Sequence, residues 1–113
     1  MINLKRIKWE HEVFMQNPID EVQLEEIKES STCFIVRLKT STAPRQKEYR
    51  LMIELTDKYP FEPPRVRFLQ PWPACPYVHG ESICMDILRE KWSPALNVQK
   101  LALSILSLIN SGK

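Results

Sequence analysis

The chain has 113 residues, of which 43% are hydrophobic and 27% charged, with a formal net charge of +2. That length suits one domain with a real core, and so weak a charge excludes a nucleic-acid binder relying on bulk electrostatics. No apolar run approaches the roughly 18 residues that span a bilayer, and the charged, amphipathic N-terminus is no signal peptide.

Residues 3–16 are predicted to form the first helix, with Asn3 as its N-cap and Asn17-Pro18 as its end. Leu4, Ile7, His11 and Phe14 fall on one apolar stripe at helical spacing, which makes His11 a packed or edge histidine. Four strands are then expected: Val22 to Lys28, Phe34 to Lys39, Tyr49 to Leu55 and Arg65 to Leu69. Phe34, Val36 and Leu38 alternate with Ile35, Arg37 and Lys39. Tyr49, Leu51, Ile53 and Leu55 alternate with Arg50, Met52 and Glu54. Period-two alternation with one polar face predicts a half-exposed antiparallel sheet. Thr40 to Glu48, with Pro44 and no glycine, reads as a short loop.

Tyr59 to Pro64 breaks regular structure, because Pro60, Pro63 and Pro64 fix three φ angles and remove three donors. Gln70 to Gly80 reads as a second irregular stretch, held by packing of Trp72 and Tyr77. Val98 to Ile109 is the last helix, with Asn97 as N-cap and Asn110-Ser111-Gly112 as its stop. It is apolar nearly all round, Leu103 and Leu106 included, which predicts a central, buried helix. The fold class is therefore α+β, with an antiparallel meander sheet between the two helices.

Cys33, Cys75 and Cys84 make an odd count without paired spacing. Neither a disulfide framework nor a metal site is expected, and a reducing compartment, cytoplasm or nucleus, fits best. On residues alone, Cys84 reads as a small buried hydrophobe or as a loop nucleophile. His79 reads as a solvated loop residue, Asp86 as a loop-capping carboxylate, and Phe61 as either core or surface anchor.

The segments Tyr-Pro-Phe-Glu-Pro-Pro (residues 59–64) and Gly-Glu-Ser-Ile-Cys-Met-Asp (residues 80–86), followed by Trp-Ser-Pro-Ala-Leu (residues 92–96) and an apolar helix, resemble the ubiquitin-conjugating enzyme family. The resemblance covers nearly the whole chain, from Leu4-Lys5-Arg6-Ile7 onward. It implies the fold of that family and a transferase that carries ubiquitin as a thioester on Cys84, received through an ATP-dependent activating enzyme. Asp86 matches an acid that positions or deprotonates the incoming amine. Lys5 and Arg6 match the face offered to the activating enzyme. Phe61, Pro94 and Ala95 match the loops that meet RING-type or U-box ligases. Arg89 matches a position that contacts the carried ubiquitin. No cofactor, nucleic acid or membrane partner is implied.

Three departures accompany the match. Cys75-Pro76-Tyr77 stands where most members have His-Pro-Asn. A missing amide donor at an oxyanion site costs about 3 kcal/mol unless Tyr77, His79 or a backbone N–H substitutes. Residues 1–113 read as a single core domain lacking the family's C-terminal helices, so a truncated chain or a compact variant is expected. The Leu38 to Tyr49 loop is short. The Trp92 to Gln99 segment looks most like the branch that modifies α-amino groups, ubiquitin-conjugating enzyme W, although Asp86 departs from it. Two alternatives stand beside this reading: a weak or inactive ubiquitin-binding module of the same fold, and an enzyme conjugating another ubiquitin-like protein.

Overall fold

The computed structural model describes residues 4–28, 32–41, 47–76, 78–83, 88–90 and 92–111. The expected N-cap Asn3 and helix stop Gly112 lie outside them. The first helix, α1 (Leu4–Gln16), buries Ile7, Glu10 and Phe14. Ile7 and Phe14 of the expected stripe are buried, but its other two members are not. Leu4 is 61% exposed and His11 is exposed, while Glu10 lies at the centre of the buried face. The spacing i, i+3, i+7 is helical in either phase, and the phase chosen is the one that gives Glu10 its partners. The Asn17 N–H and side-chain amide both donate to the Val13 carbonyl (3.0 and 3.4 Å), closing the helix before Pro18.

Strands β1 (Val22–Lys28), β2 (Cys33–Lys39), β3 (Glu48–Glu54) and β4 (Arg65–Phe68) follow as an antiparallel meander. The α+β class is as expected, but among the described residues the sheet has six strands, not four. Two short strands, β5 (Val78–His79) and β6 (Ser82–Ile83), extend it in the order β1-β2-β3-β4-β6-β5. Two-residue strands carry no periodicity for a sequence to display. A bulge on β1 between Leu24 and Glu26 frees Glu25, which pairs with Arg50 (3.0 Å) and Arg37 (3.5 Å) on the outer face.

Phe34, Val36, Leu38, Leu51, Ile53 and Phe68 are buried on the inner face. Each such side chain contributes about 1.5–3 kcal/mol of transfer free energy. The outer face is less polar in effect than alternation suggested, because Cys33 and Ile35 are buried there too. Ile35 sits opposite Glu26 on one side and Met52 on the other, and long neighbours cover it.

The second helix, α2 (Val98–Ser111), lies against β1 and β2, with α1 packed on it. Val98, Leu101, Ala102, Ile105 and Leu106 are buried. It is not buried all round as expected: Leu103 is exposed, in line with Lys100 and Ser107. Asn97 caps it, accepting the Lys100 N–H at 2.8 Å. The loop after β2 is closed by Thr40, whose N–H donates to the Lys47 carbonyl (2.9 Å) and whose hydroxyl accepts the Lys47 N–H (3.0 Å). The stretch from Gln70 to Pro76 is held by buried Pro73 and Cys75. The Cys75 thiol faces the Leu108 carbonyl of α2 at 3.8 Å. Trp72 stays partly exposed over Gly80, and Tyr77 lies outside the described residues.

Candidate active site and docking surfaces

The hairpin β5–β6 leads directly into Cys84. Val78 pairs with Ile83 and His79 with Ser82, leaving a two-residue turn, Gly80-Glu81. Gly80 has φ 64°, the left-handed value a tight hairpin needs at its first central residue, and only glycine adopts it freely. The hairpin is clipped to the edge of β4 by the Phe68 N–H, which donates to the Glu81 carbonyl at 2.7 Å. Ile83 on one side of the cysteine and Leu88 on the other are both buried. Cys84, Asp86 and Tyr77 lie outside the described residues. His79 is exposed on β5, five positions before Cys84, and Arg89 is exposed next to buried Leu88. Cys33 and Cys75 are both buried thiols. Among the described residues, no group of His, Cys, Asp and Glu could hold a metal.

Two turns form a separate surface. Around Phe61, the Phe61 and Glu62 N–H groups donate to the Lys58 carbonyl (2.8 and 3.1 Å). Around Pro94 and Ala95, the Leu96 N–H donates to the Ser93 carbonyl (2.9 Å), and the Ser93 hydroxyl accepts the Ala95 N–H (3.2 Å). Trp92 joins them. Its indole N–H donates to the Pro60 carbonyl at 2.9 Å, and its ring packs on Tyr59 with centroids 5.5 Å apart. Pro60 has no N–H to offer the same turn, so its carbonyl is the group left to tie down. Phe61 is 81% exposed on the first turn, and Pro94 and Ala95 are exposed on the second.

Behind both turns stands a residue that sequence reasoning missed. Glu10 is fully buried and accepts three hydrogen bonds: Arg6 Nε (3.0 Å) and the Tyr59 hydroxyl (2.5 Å) on Oε2, and the Val98 N–H (2.9 Å) on Oε1. One carboxylate thus ties α1, the proline-rich turn and the N-terminus of α2. Its position suits the positive end of the α2 dipole as well. The signal was available: a glutamate three residues after Ile7 and four after Arg6 lies on an apolar stripe only when it is paired.

The Arg6 guanidinium is engaged on every side. It lies 4.5 Å from the Trp9 ring centroid and 5.1 Å from that of Tyr59, besides pairing with Glu10. Burial disfavours its charge, but Tyr59 and then Glu10 more than offset this, so its pKa is raised above the ordinary arginine value. Burial first, and then the Glu10 carboxylate, hold the Tyr59 phenol well above its ordinary value despite nearby Arg6. Lys5, one residue earlier, is exposed. The two basic residues expected to face an activating enzyme therefore differ: Lys5 is at the surface, and Arg6 is half-buried in the polar hub.

Comparison with known proteins gives concordant findings. The family model described as ubiquitin-conjugating enzyme matches residues 6–113. "Ubiquitin-conjugating enzyme 15" of Arabidopsis thaliana is 42% identical over 64 residues, 56% of this chain and 40% of that protein. "Probable ubiquitin-conjugating enzyme E2 W-A" of Danio rerio is 42% identical over 69 residues, 59% of this chain and 46% of that protein. Each match thus spans less than half of the relative's length. Among solved structures, a ubiquitin conjugating enzyme E2 from Plasmodium falciparum superposes with a TM-score of 0.82 at 30% identity, covering 98% of this chain and 100% of the other. UbcA1 of Agrocybe aegerita shares the fold with a TM-score of 0.84 at 21% identity.

Proposed function

The chain belongs to the ubiquitin-conjugating enzyme family, and from that premise we propose that it accepts ubiquitin on Cys84 and passes it to a substrate amine while a ligase holds the Phe61, Pro94 and Ala95 surface. Residues 1–113 act as one catalytic core in this reading, working in the cytoplasm or nucleus. No helix among the described residues is long and apolar enough to cross a membrane.

The chemistry is two acyl transfers. The Cys84 thiolate attacks the C-terminal glycine carbonyl of ubiquitin, held as a thioester on the activating enzyme, and the activating enzyme's thiolate leaves. A substrate amine then attacks the Cys84 thioester. An amide bond forms, the Cys84 thiolate departs, and the amine's proton passes to a base. Asp86 and His79 are the carboxylate and imidazole near enough in sequence to serve. ATP is spent upstream, so this chain needs no cofactor. Tyr77 or a backbone N–H supplies the oxyanion donor that the absent Asn would provide. Lys5 meets the activating enzyme, where charge attraction speeds encounter more than it tightens binding. Arg89 contacts the carried ubiquitin.

The observation that carries the reading is the bracketing of Cys84 between two buried anchors, Ile83 and Leu88, at the end of a hairpin fixed to the sheet edge. The test is a charging reaction with activating enzyme, ATP and ubiquitin, run for wild type and Cys84→Ser. A thiol-sensitive adduct in the wild type, replaced by a thiol-resistant one in the serine variant, is expected. No adduct from folded protein, with ubiquitin shifts still visible in titration NMR, would make it a binding module instead. Repeating the reaction with other ubiquitin-like proteins identifies the modifier. Discharge onto free lysine or onto a peptide N-terminus then settles the acceptor.

A further inference from the structure

β1 stands at the end of the strand order, so among the described residues one of its sides has no neighbouring strand. The Glu21 carbonyl accepts the Lys39 N–H at 2.8 Å, which turns the main chain of Glu21 toward β2 and those of Val22 and Leu24 away from it. The Ile19 carbonyl takes the Val22 N–H at 3.1 Å. The Val22 carbonyl and both polar groups of Leu24 therefore lie along the outer side, up to the bulge that follows Leu24. Beside this edge, Phe14, Met15, Pro18, Ile19, Val22 and Leu24 line a hollow of about 260 Å³. That is smaller than the roughly 300 Å³ at which small-molecule sites begin, and it suits the side chains of a docked segment better. Met15, on its wall, is 68% exposed.

The charge around the hollow is one-sided. Between Lys8 and Lys28 the sequence has no lysine or arginine but carries Glu10, Glu12, Asp20, Glu21, Glu25 and Glu26, in a chain whose net charge is +2. Glu10 is engaged in the buried hub and Glu25 by Arg37 and Arg50. Asp20 lines the hollow, and Glu12, Glu21 and Glu26 are exposed. Strand alternation sets Val22 and Leu24 on the inner side of the edge and Glu21 and Gln23 on the outer side, where Glu26 lies opposite Ile35.

We infer that the β1 edge is a docking site for an extended protein segment that alternates apolar and basic residues. The segment adds to Val22–Leu24 as a further strand, sets its apolar side chains into the hollow and places lysine or arginine beside Glu21 and Glu26. The alternation of the occupant copies that of the edge. A second copy of this chain does not fit, because pairing β1 with β1 would bring carboxylates against carboxylates. The β5–β6 hairpin that leads to Cys84 is at the opposite end of the strand order, so an occupant of β1 leaves it uncovered. Binding here is independent of whether Cys84 carries ubiquitin.

The experiment titrates the intact chain with the synthetic peptide acetyl-Lys-Ile-Arg-Val-Lys-Ile-Arg-amide and follows amide shifts by NMR. Two control peptides replace the apolar residues with serine or N-methylate alternate amides to block strand addition. Saturable shifts are expected at Val22, Gln23 and Leu24 and at Phe14, Met15 and Ile19. Each control peptide, and the charge reversal Asp20→Lys with Glu21→Lys, should weaken binding at least about tenfold. Absence of saturable shifts up to about 1 mM peptide overturns the inference. So does a serine peptide that binds equally well, which would leave only diffuse charge attraction, or an N-methylated peptide that does, which would exclude an added strand. Shifts centred away from residues 14–24 also overturn it. Should the charge-reversed chain lose its dispersed spectrum, the three peptides on the wild type decide the matter alone.

Discussion

A buried carboxylate is expensive unless its lone pairs are filled, and Glu10 fills them from three directions. Tyr59 makes the arrangement visible to titration. Its phenol is held above its ordinary value by burial and by Glu10, so the folded state keeps a proton that the unfolded chain releases. Linkage gives the sign: below the unfolded tyrosine pKa of about 10 the contribution is fully present, and above it stability falls as pH rises toward the folded pKa. The midpoint of thermal unfolding should therefore drop between about pH 10 and pH 11 more steeply in the wild type than in Tyr59→Phe. Equal slopes in the two proteins would show that the phenol is not held by Glu10. The hub was only half legible in the sequence. Tyr59, Pro60 and Trp92 stood out as unusual residues, but nothing local says that an indole will reach a carbonyl 32 positions away. Glu10 was hidden by an equally good helical phase through Leu4 and His11.

Elements with long periodic runs were legible, and those defined by a turn were not. The bounds of β1 are those expected, and α2 starts where Asn97 caps it. The β5–β6 hairpin went unread because its information lies in one glycine and in an edge of β4 that only the folded sheet provides. Gly80→Ala tests how much that turn matters. The added Cβ would lie 3.7 Å from the Trp72 ring, ordinary contact, so the penalty is in the backbone. A loss of about 1–2 kcal/mol is expected, read as a lower unfolding midpoint, with slower charging of Cys84. Glu81→Ala, which removes only an exposed pair with Arg67 at 3.8 Å, should change stability by less than about 0.5 kcal/mol. A silent Gly80→Ala would mean that the hairpin does not need its left-handed residue.

Across the whole molecule, order is unevenly spread. The centre of the sheet, β2 and β3, is paired on both sides and buried. The edge that carries His79 and leads to Cys84 consists of two-residue strands. Amide hydrogen exchange should therefore be slowest in Phe34, Val36, Leu51 and Ile53 and should approach the global unfolding limit there. Val78 and Ile83 should exchange by a smaller, local opening. Uniform protection through both regions would contradict this. The α+β class was legible because it needs only element types in order. The candidate site was less so, because the hairpin that precedes Cys84 is held to an edge that only the folded sheet provides.

The Val98 N–H and the Glu10 carboxylate are 88 residues apart in the chain. On a ribosome, α1 is finished long before α2 exists. Until α2 has left the exit tunnel, seating α1 would bury a charge with one of its three donors unmade. The carboxylate thus makes the seating of α1 conditional on α2, the element that supplies its third donor.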